Sequence, residues 1–220
     1  MKKFVLYTAR FGNPGTFYIP KVSIPSVDRL CFTDLNVKEG CHQRIPIRHG
    51  QYLRNNFYQI KKMNLDYLSP MPIRKQRFVK ICIPDEIFDN YEYSVYVDCK
   101  RNSVIDFKWL LDFMESQSDF ITRRHKTRDC VYDEGRICIE KRIDDEATIL
   151  EQLDFYRSEG YPAHNGLHYS YILLRRHTEK MKEFSRLWWG QLERYSFRDQ
   201  ISLPYVAWKY DMKISICTRN

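Results

Sequence analysis

This sequence predicts an α/β layered domain, on three observations. Short runs rich in Val, Ile, Phe and Tyr alternate with stretches whose apolar residues recur at helical spacing. Polar turns bound those runs. The most apolar run, YEYSVYVDCK, ends on an acid, Asp98, beside a base, Lys100. In an open α/β sheet, ligands bind at the carboxyl ends of the strands. A strand finishing on a carboxylate therefore either delivers it to a site or ends in an ordinary turn Asp.

Strands are expected at residues 4–8, 30–33, 94–98, 119–123 and 169–175. Residues 105–116 read as a helix carrying Trp109, Leu110, Phe113 and Met114 on one face. Residues 144–158 read as a second, with Ile149, Leu150, Leu153 and Tyr156 inward. Asp144 and Asp145 stand at its start and Gly160 just past its end. Residues 179–195 carry Met181, Phe184, Leu187, Trp188 and Leu192 at helical spacing. Residues 199–210 are interrupted by Pro204, which fits a first turn or a kink. Residues 44–71 have no clear period and read as a surface insertion.

At 220 residues, a single domain over 1–220 is expected, with 43% hydrophobic and 15% aromatic residues to build its core. With 8 Gly and 9 Pro the chain is not of low complexity. No run approaches the roughly 20 apolar residues of a membrane helix. The start, MKKFVLYTARFG, is too short in apolar residues for a signal peptide and reads as the first strand. Seven scattered cysteines form no CxxC pair. They fit core residues in a reducing cytoplasm better than a disulfide frame or zinc site. The net charge of +8 suits a polyanionic partner or simply a basic surface. Its basic residues gather at Arg74, Lys75, Arg77 and Lys80, and again at Arg123, Arg124, Lys126 and Arg128.

Taken in order, YTARFG, LCFTD, RKQRFVKICIPDEIFDNYEYSVYVD, HKTRDCVYDE, EQLDFYRSEGYPAHNGLHYSYILLRRH and FSRLWWGQLERYSFRDQISLPYVAW resemble one family. It is the TOD/MUCI-type glycosyltransferase-like family, and the chain looks like a bacterial or phage member. The resemblance implies a GT-A-like, Rossmann-like domain with a mainly parallel central sheet. It also implies sugar transfer from a nucleotide-sugar donor to a hydroxyl.

The resemblance puts the nucleoside at Tyr7, Thr8 and Arg10, where Gly12 and Gly15 let backbone approach a ligand. Asp34 could accept from a base or ribose, or cap a turn. Arg77 and Lys80, three apart, share a helix face and suit a diphosphate or a solvated surface. Asp98 matches the family's acid, but the usual second carboxylate of a DxD motif is replaced by Lys100. Either Asp98 binds Mg²⁺ or Mn²⁺ with ligands from elsewhere, such as His125 or His168, or Lys100 neutralises the leaving diphosphate. His125, Arg128, Asp133 and Glu134 would bind sugar or acceptor, or form a salt-bridged loop. His164, Gly166 and His168 fall in a loop expected to cover the sugar. Asp199, with Gln200 beside it, is the base candidate for an inverting reaction; in a retaining one it would orient the sugar. One of Trp188 and Trp189 is expected in the core, the other stacked on a sugar or base. Asp98, Glu134 and Asp199 form the expected catalytic set.

The acceptor stays open between a hydroxylated base in double-stranded phage DNA and a surface glycan. The rival from another class is a non-catalytic nucleic-acid binder on a degenerate transferase fold. The expected location is cytoplasmic, the host's if the chain is phage-encoded.

Overall fold

A computed structural model describes residues 4–12, 21–22, 27–34, 42–43, 58–99, 104–105 and 113–216. Its strands are β1 Phe4–Arg10, β2 Lys21–Val22, β3 Asp28–Thr33, β4 His42–Gln43, β5 Tyr58–Lys62, β6 Tyr93–Val97, β7 Val104–Ile105, β8 Phe120–Arg124, β9 His168–Arg176 and β10 Ile214–Ile216. Its helices are α1 Pro72–Ile81, α2 Asp85–Phe88, α3 Val131–Glu140, α4 Glu146–Ser158, α5 Glu179–Arg194 and α6 Asp199–Lys209. The chain divides into two compact units, Met1–Gln117 with Tyr171–His177, and Ser118–Ser170 with Thr178–Asn220.

In the first unit the strand order is β9-β6-β1-β3-β5-β4. β6, β1, β3 and β5 are parallel, as the sequence predicts, while β9 and β4 run antiparallel to their neighbours. β1 lies at the centre because Val5, Leu6, Tyr7 and Ala9 are all buried, the signature of a strand covered on both faces. From β1 the chain builds outward to β3 and β5, then returns to β6 on β1's other side. The carboxyl ends of β1 and β6 thus flank a topological switch point, the place where open α/β sheets bind ligands.

Helix α1 packs against β1. Pro72 opens it, where a missing N–H costs nothing. Its buried residues include three cations, Lys75, Arg77 and Lys80, alongside Val79 and Ile81. Buried cations require partners, and those partners define the site described below.

In the second unit β10 pairs with β8 in parallel. Phe120, Phe184 and Trp188 share a ring cluster, with Trp188 Nε1 donating to Ser202 Oγ at 3.0 Å. Asp145 caps α4 by accepting from Thr148 N at 2.8 Å, and Thr178 caps α5 by accepting from Met181 N at 3.2 Å. Gly135, inside α3, lets α4 come close: a Cβ there would lie 2.6 Å from Leu153 Cδ1.

Several expectations need correction. Residues 44–71 contain β5, a strand of the main sheet, so this stretch is more than a surface insertion. YQIKK hides it by mixing two lysines into a half-buried strand. The last four residues of HKTRDCVYDE belong to helix α3, which begins at Val131. Residues 104–105 form β7 against β2, and only 113–115 of the expected helix at 105–116 are described as helical. Trp109 and Leu110 lie outside the described residues, as do Lys100 and Gly15. Pro204 stands in the interior of α6, past its first turn, where it removes one backbone donor.

Candidate functional site

Two clusters of charge stand out, one in each unit. The first gathers around Asp98, just beyond β6. Asp98 Oδ1 accepts from Gln76 Nε2 at 2.8 Å and from Tyr96 O–H at 3.0 Å. Arg77 and Lys80 hold their nitrogens 3.8 and 3.7 Å from the same oxygen. The carboxylate is 19% exposed, whereas the Lys80 side chain is 0% exposed and lies over the Tyr96 ring. Consecutive and three-apart positions on one turn of α1 therefore converge on a single strand-end acid. Tyr96 is buried beneath it, and burial together with the Asp98 charge pushes its phenol pKa well up, so it stays a donor.

Other expected donor-side residues position this cluster. Tyr7 is fully buried, and its hydroxyl donates to the Lys80 carbonyl at 3.3 Å. Arg10 is buried and donates to Cys99 Sγ at 3.8 Å, and Thr8 is 1% exposed. Asp34 accepts from Gly12 N at 2.9 Å and stands 3.6 Å from Lys75 Nζ. It thereby ties the loop after β1 to the start of α1. Gly12 has φ 69°, and a Cβ there would meet Pro72 Cγ at 2.5 Å, so only glycine closes this turn.

In the second unit Glu134, 1% exposed, sits between two arginines. Arg128 approaches Oε2 at 2.9 and 2.6 Å through Nε and Nη2. Arg198 donates to Oε1 at 3.1 Å, and Cys138 Sγ lies 3.7 Å away. Glu134 thus carries two ion pairs from the first turn of helix α3. His125 is fixed beside it: its Nδ1 accepts from the Arg128 and Thr127 amides at 3.1 and 3.3 Å, and its ring packs on Tyr169. Burial first, then the Arg128 charge, lowers its pKa.

Asp199 lies in the first turn of α6, 1% exposed, and Gln200 Nε2 donates to the His168 carbonyl at 3.3 Å. Trp188 is fully buried and Trp189 is 7% exposed, so little of either ring faces solvent. His164 is exposed, with φ 56°, and its Nδ1 pairs with Asp129 at 2.8 Å, which raises its pKa. Gly166 follows with φ 92°. Among the described residues, Cys130, Asp133 and His164 bring their ligand atoms within 4.8 Å of one another. Asp133 already pairs with Arg136, as His164 does with Asp129.

Three residues that matter here were not singled out in the sequence. Gln76 holds Asp98. Arg198 completes the clamp on Glu134. Arg175, 1% exposed on β9, donates to the carbonyls of Lys80 and Ile81 at 2.8 and 3.0 Å, and also to Tyr7 O–H. It closes the C-terminal end of α1, where helix carbonyls lack intrahelical partners. Its one sequence signal is an arginine ending the apolar run YILLRR.

The chain belongs to the TOD1/MUCI70 glycosyltransferase-like domain family, whose model matches residues 1–218. It is 29% identical over 137 residues to a probable hexosyltransferase, MUCI70, of Arabidopsis thaliana. That match covers 58% of this chain and 24% of the plant protein, so the chain spans about a quarter of that relative's length. Among solved structures it is similar to mouse xyloside xylosyltransferase 1 in its apo form, at 9% identity and a TM-score of 0.44, covering 98% of this chain and 85% of that one. No described helix is long and apolar enough to cross a membrane.

Proposed function

We propose that the chain is a GT-A-like glycosyltransferase that moves a sugar from a nucleotide-sugar donor to an acceptor hydroxyl. The carrying observation is the Asp98 cluster at the switch point, with Arg77 and Lys80 presented to it by α1. In transfer, the bond between the anomeric carbon and the diphosphate oxygen breaks, and its electron pair leaves on the diphosphate. Fixed cations beside that oxygen stabilise the developing charge without reorganising. Gln76 and Tyr96 hold Asp98 so that the cations keep their places, the role of a preorganised site.

A divalent cation is a weaker fit at Asp98. Mg²⁺ can be held by as few as one or two carboxylates, with substrate phosphates and waters completing its six oxygens, but cations standing beside the carboxylate repel it. Among the described residues, the groups around Asp98 are an amide, a phenol and two cations. Charge neutralisation by side chains therefore carries this reading, and Lys100, outside the described residues, would add to it. Asp199 is the residue assigned to the acceptor hydroxyl: in an inverting course it takes the proton as the new C–O bond forms. Glu134 acts at one remove, fixing Arg128 and Arg198.

The test offers the chain a panel of nucleotide sugars with parallel acceptors, namely oligosaccharides and duplex DNA carrying hydroxymethylcytosine, and reads products by mass spectrometry. The expected result is nucleotide release together with sugar on one acceptor class, and loss of turnover but retained donor binding in Asp199→Asn. Sugar on the base would select a DNA acceptor. Salt-sensitive duplex binding with no transfer from any donor would favour the nucleic-acid-binding rival. Absence of both donor binding and product across the panel would overturn the proposal.

A further inference from the structure

A cavity of about 450 Å³ opens in the second unit, between the loop before β9, the second half of α6 and the approach to β10. Its size is that of a small-molecule site. Asn165, His168, Pro204, Trp208, Asp211 and Lys213 are among the residues lining it. Of these, Asn165 and His168 belong to the loop expected to cover the sugar, and none of the others was expected to bind anything.

Trp208 is the unusual member. It is 39% exposed, a large apolar surface that folding leaves uncovered. Yet it is not loose. Tyr161 meets it edge-on at 5.4 Å and Tyr205 at 6.0 Å, and Tyr205 is itself stacked on Tyr156 at 3.8 Å. A braced indole beside a cavity is a platform whose orientation is set before any ligand arrives.

The polar lining has a matching character. Asn165 offers an amide, Asp211 a carboxylate and Lys213 an ammonium. His168 Nδ1 is buried and has no hydrogen-bond partner among the described residues. Burial lowers the His168 pKa to about 4, so at neutral pH the imidazole is uncharged and can donate or accept. One acid and one base leave the lining roughly balanced, unlike a phosphate site, where cations dominate. A ligand that suits this set has an apolar face for the indole and a rim of neutral groups that both donate and accept. A pyranose ring has both.

We propose that this cavity is a saccharide-binding subsite, with Trp208 stacking on a neutral pyranose and His168 and Asn165 bonding its hydroxyls. The purpose of the subsite rests on the transferase reading, since it would hold part of the acceptor glycan. Trp208 lies nine residues beyond Asp199, or about 13 Å along α6. The bound ring would therefore be remote from the reacting hydroxyl.

The experiment titrates the full chain, with no donor present, against lactose, cellobiose, maltose and, as a charged control, AMP. Tryptophan fluorescence and amide chemical shifts give the readouts. The expected result is saturable binding of at least one disaccharide, with shifts confined to residues around 165–168 and 204–214. Trp208→Ala should weaken it at least about tenfold, the cost of losing an aromatic stack. Because Trp208 also braces Tyr161 and Tyr205, Lys213→Ala at the rim serves as the second variant, expected to keep the melting temperature and weaken binding a few-fold. No saturable binding by any disaccharide, tighter binding of AMP than of every sugar at residues 165–168 and 204–214, or binding indifferent to both variants would overturn the inference. Loss here with intact transfer sinks the subsite alone. Disaccharide binding in a chain that transfers nothing sinks the transferase reading alone.

Discussion

Asp98 and Glu134 are each an acid flanked by two cations, and the two arrangements differ in every quantity that decides use. Glu134 is 1% exposed, and its arginines close to 2.6 and 3.1 Å. Both of its oxygens are occupied. Asp98 is 19% exposed, its cations stand off at 3.7 and 3.8 Å, and the close contacts come from a neutral amide and a phenol. A closed clamp of the first kind fixes architecture, because removing one charge strands the others. A stand-off of the second kind leaves cations within reach of a further anion. Two acids with like partners thus differ in what their geometry leaves open to a further ligand.

The sharpest way to break this contrast is to delete each acid. Asp98→Ala should still fold, with some loss of stability because Lys80 and Arg77 are buried beside it, while transfer falls at least about a hundredfold, the scale for removing a preorganised electrostatic group. Near wild-type turnover would end the assignment of Asp98 to the donor side. Glu134→Ala should do the reverse, costing at least about 2 kcal/mol in denaturant unfolding, since it leaves two arginines facing each other. An unchanged unfolding midpoint with a large drop in turnover would make Glu134 the active acid instead.

A last contrast compares one histidine from each unit. Burial lowers both His168 and His177 to a pKa of about 4, against about 6.5 in an unfolded chain. His177 is held by the Tyr91 carbonyl at 2.6 Å and Ser94 Oγ at 2.9 Å. Between those two pKa values the unfolded chain binds more protons, so stability is complete above about pH 6.5 and falls as pH drops toward about 4. The slope is at most about 1.4 kcal/mol per pH unit for each histidine. Urea titrations between pH 7 and pH 4 on His168→Asn and His177→Gln would check it: each variant should flatten the slope, and parallel curves would show that these groups do not carry it.

Much of the first unit was legible because its strands are continuous apolar runs. FVLYTA and YSVYV can hardly be anything else, and Asp98 announces itself by ending one of them. In the second unit the strand near 120 and the helices near 144–158, 179–195 and 199–210 were legible as well, and one helix was not. Helix α3 opens within HKTRDCVYDE, whose charges look like a solvated loop until Glu134 and Val131 are seen to face inward. The residues that organise each cluster were hidden for one physical reason. Gln76 reaches an acid 22 positions away, Arg198 one 64 away, and Arg175 a carbonyl 95 away. Local period carries no trace of such pairings, and a polar residue bonded at long range looks on paper like one bonded to water.

The bond from Arg175 to the Lys80 carbonyl also sets a timetable. The first unit is discontinuous, and its last segment, Tyr171–His177, arrives only after Ser118–Ser170 of the second unit has been made. At ribosomal rates, the 95 residues between the two partners represent roughly 5–20 s of synthesis. Throughout that interval the nascent chain holds α1 without the guanidinium that closes its end, and β6 without its antiparallel neighbour. The first residues translated must therefore wait for nearly the last strand before the cluster around Asp98 is whole, and a chain released early would carry the cations of the site with nothing to hold them in register.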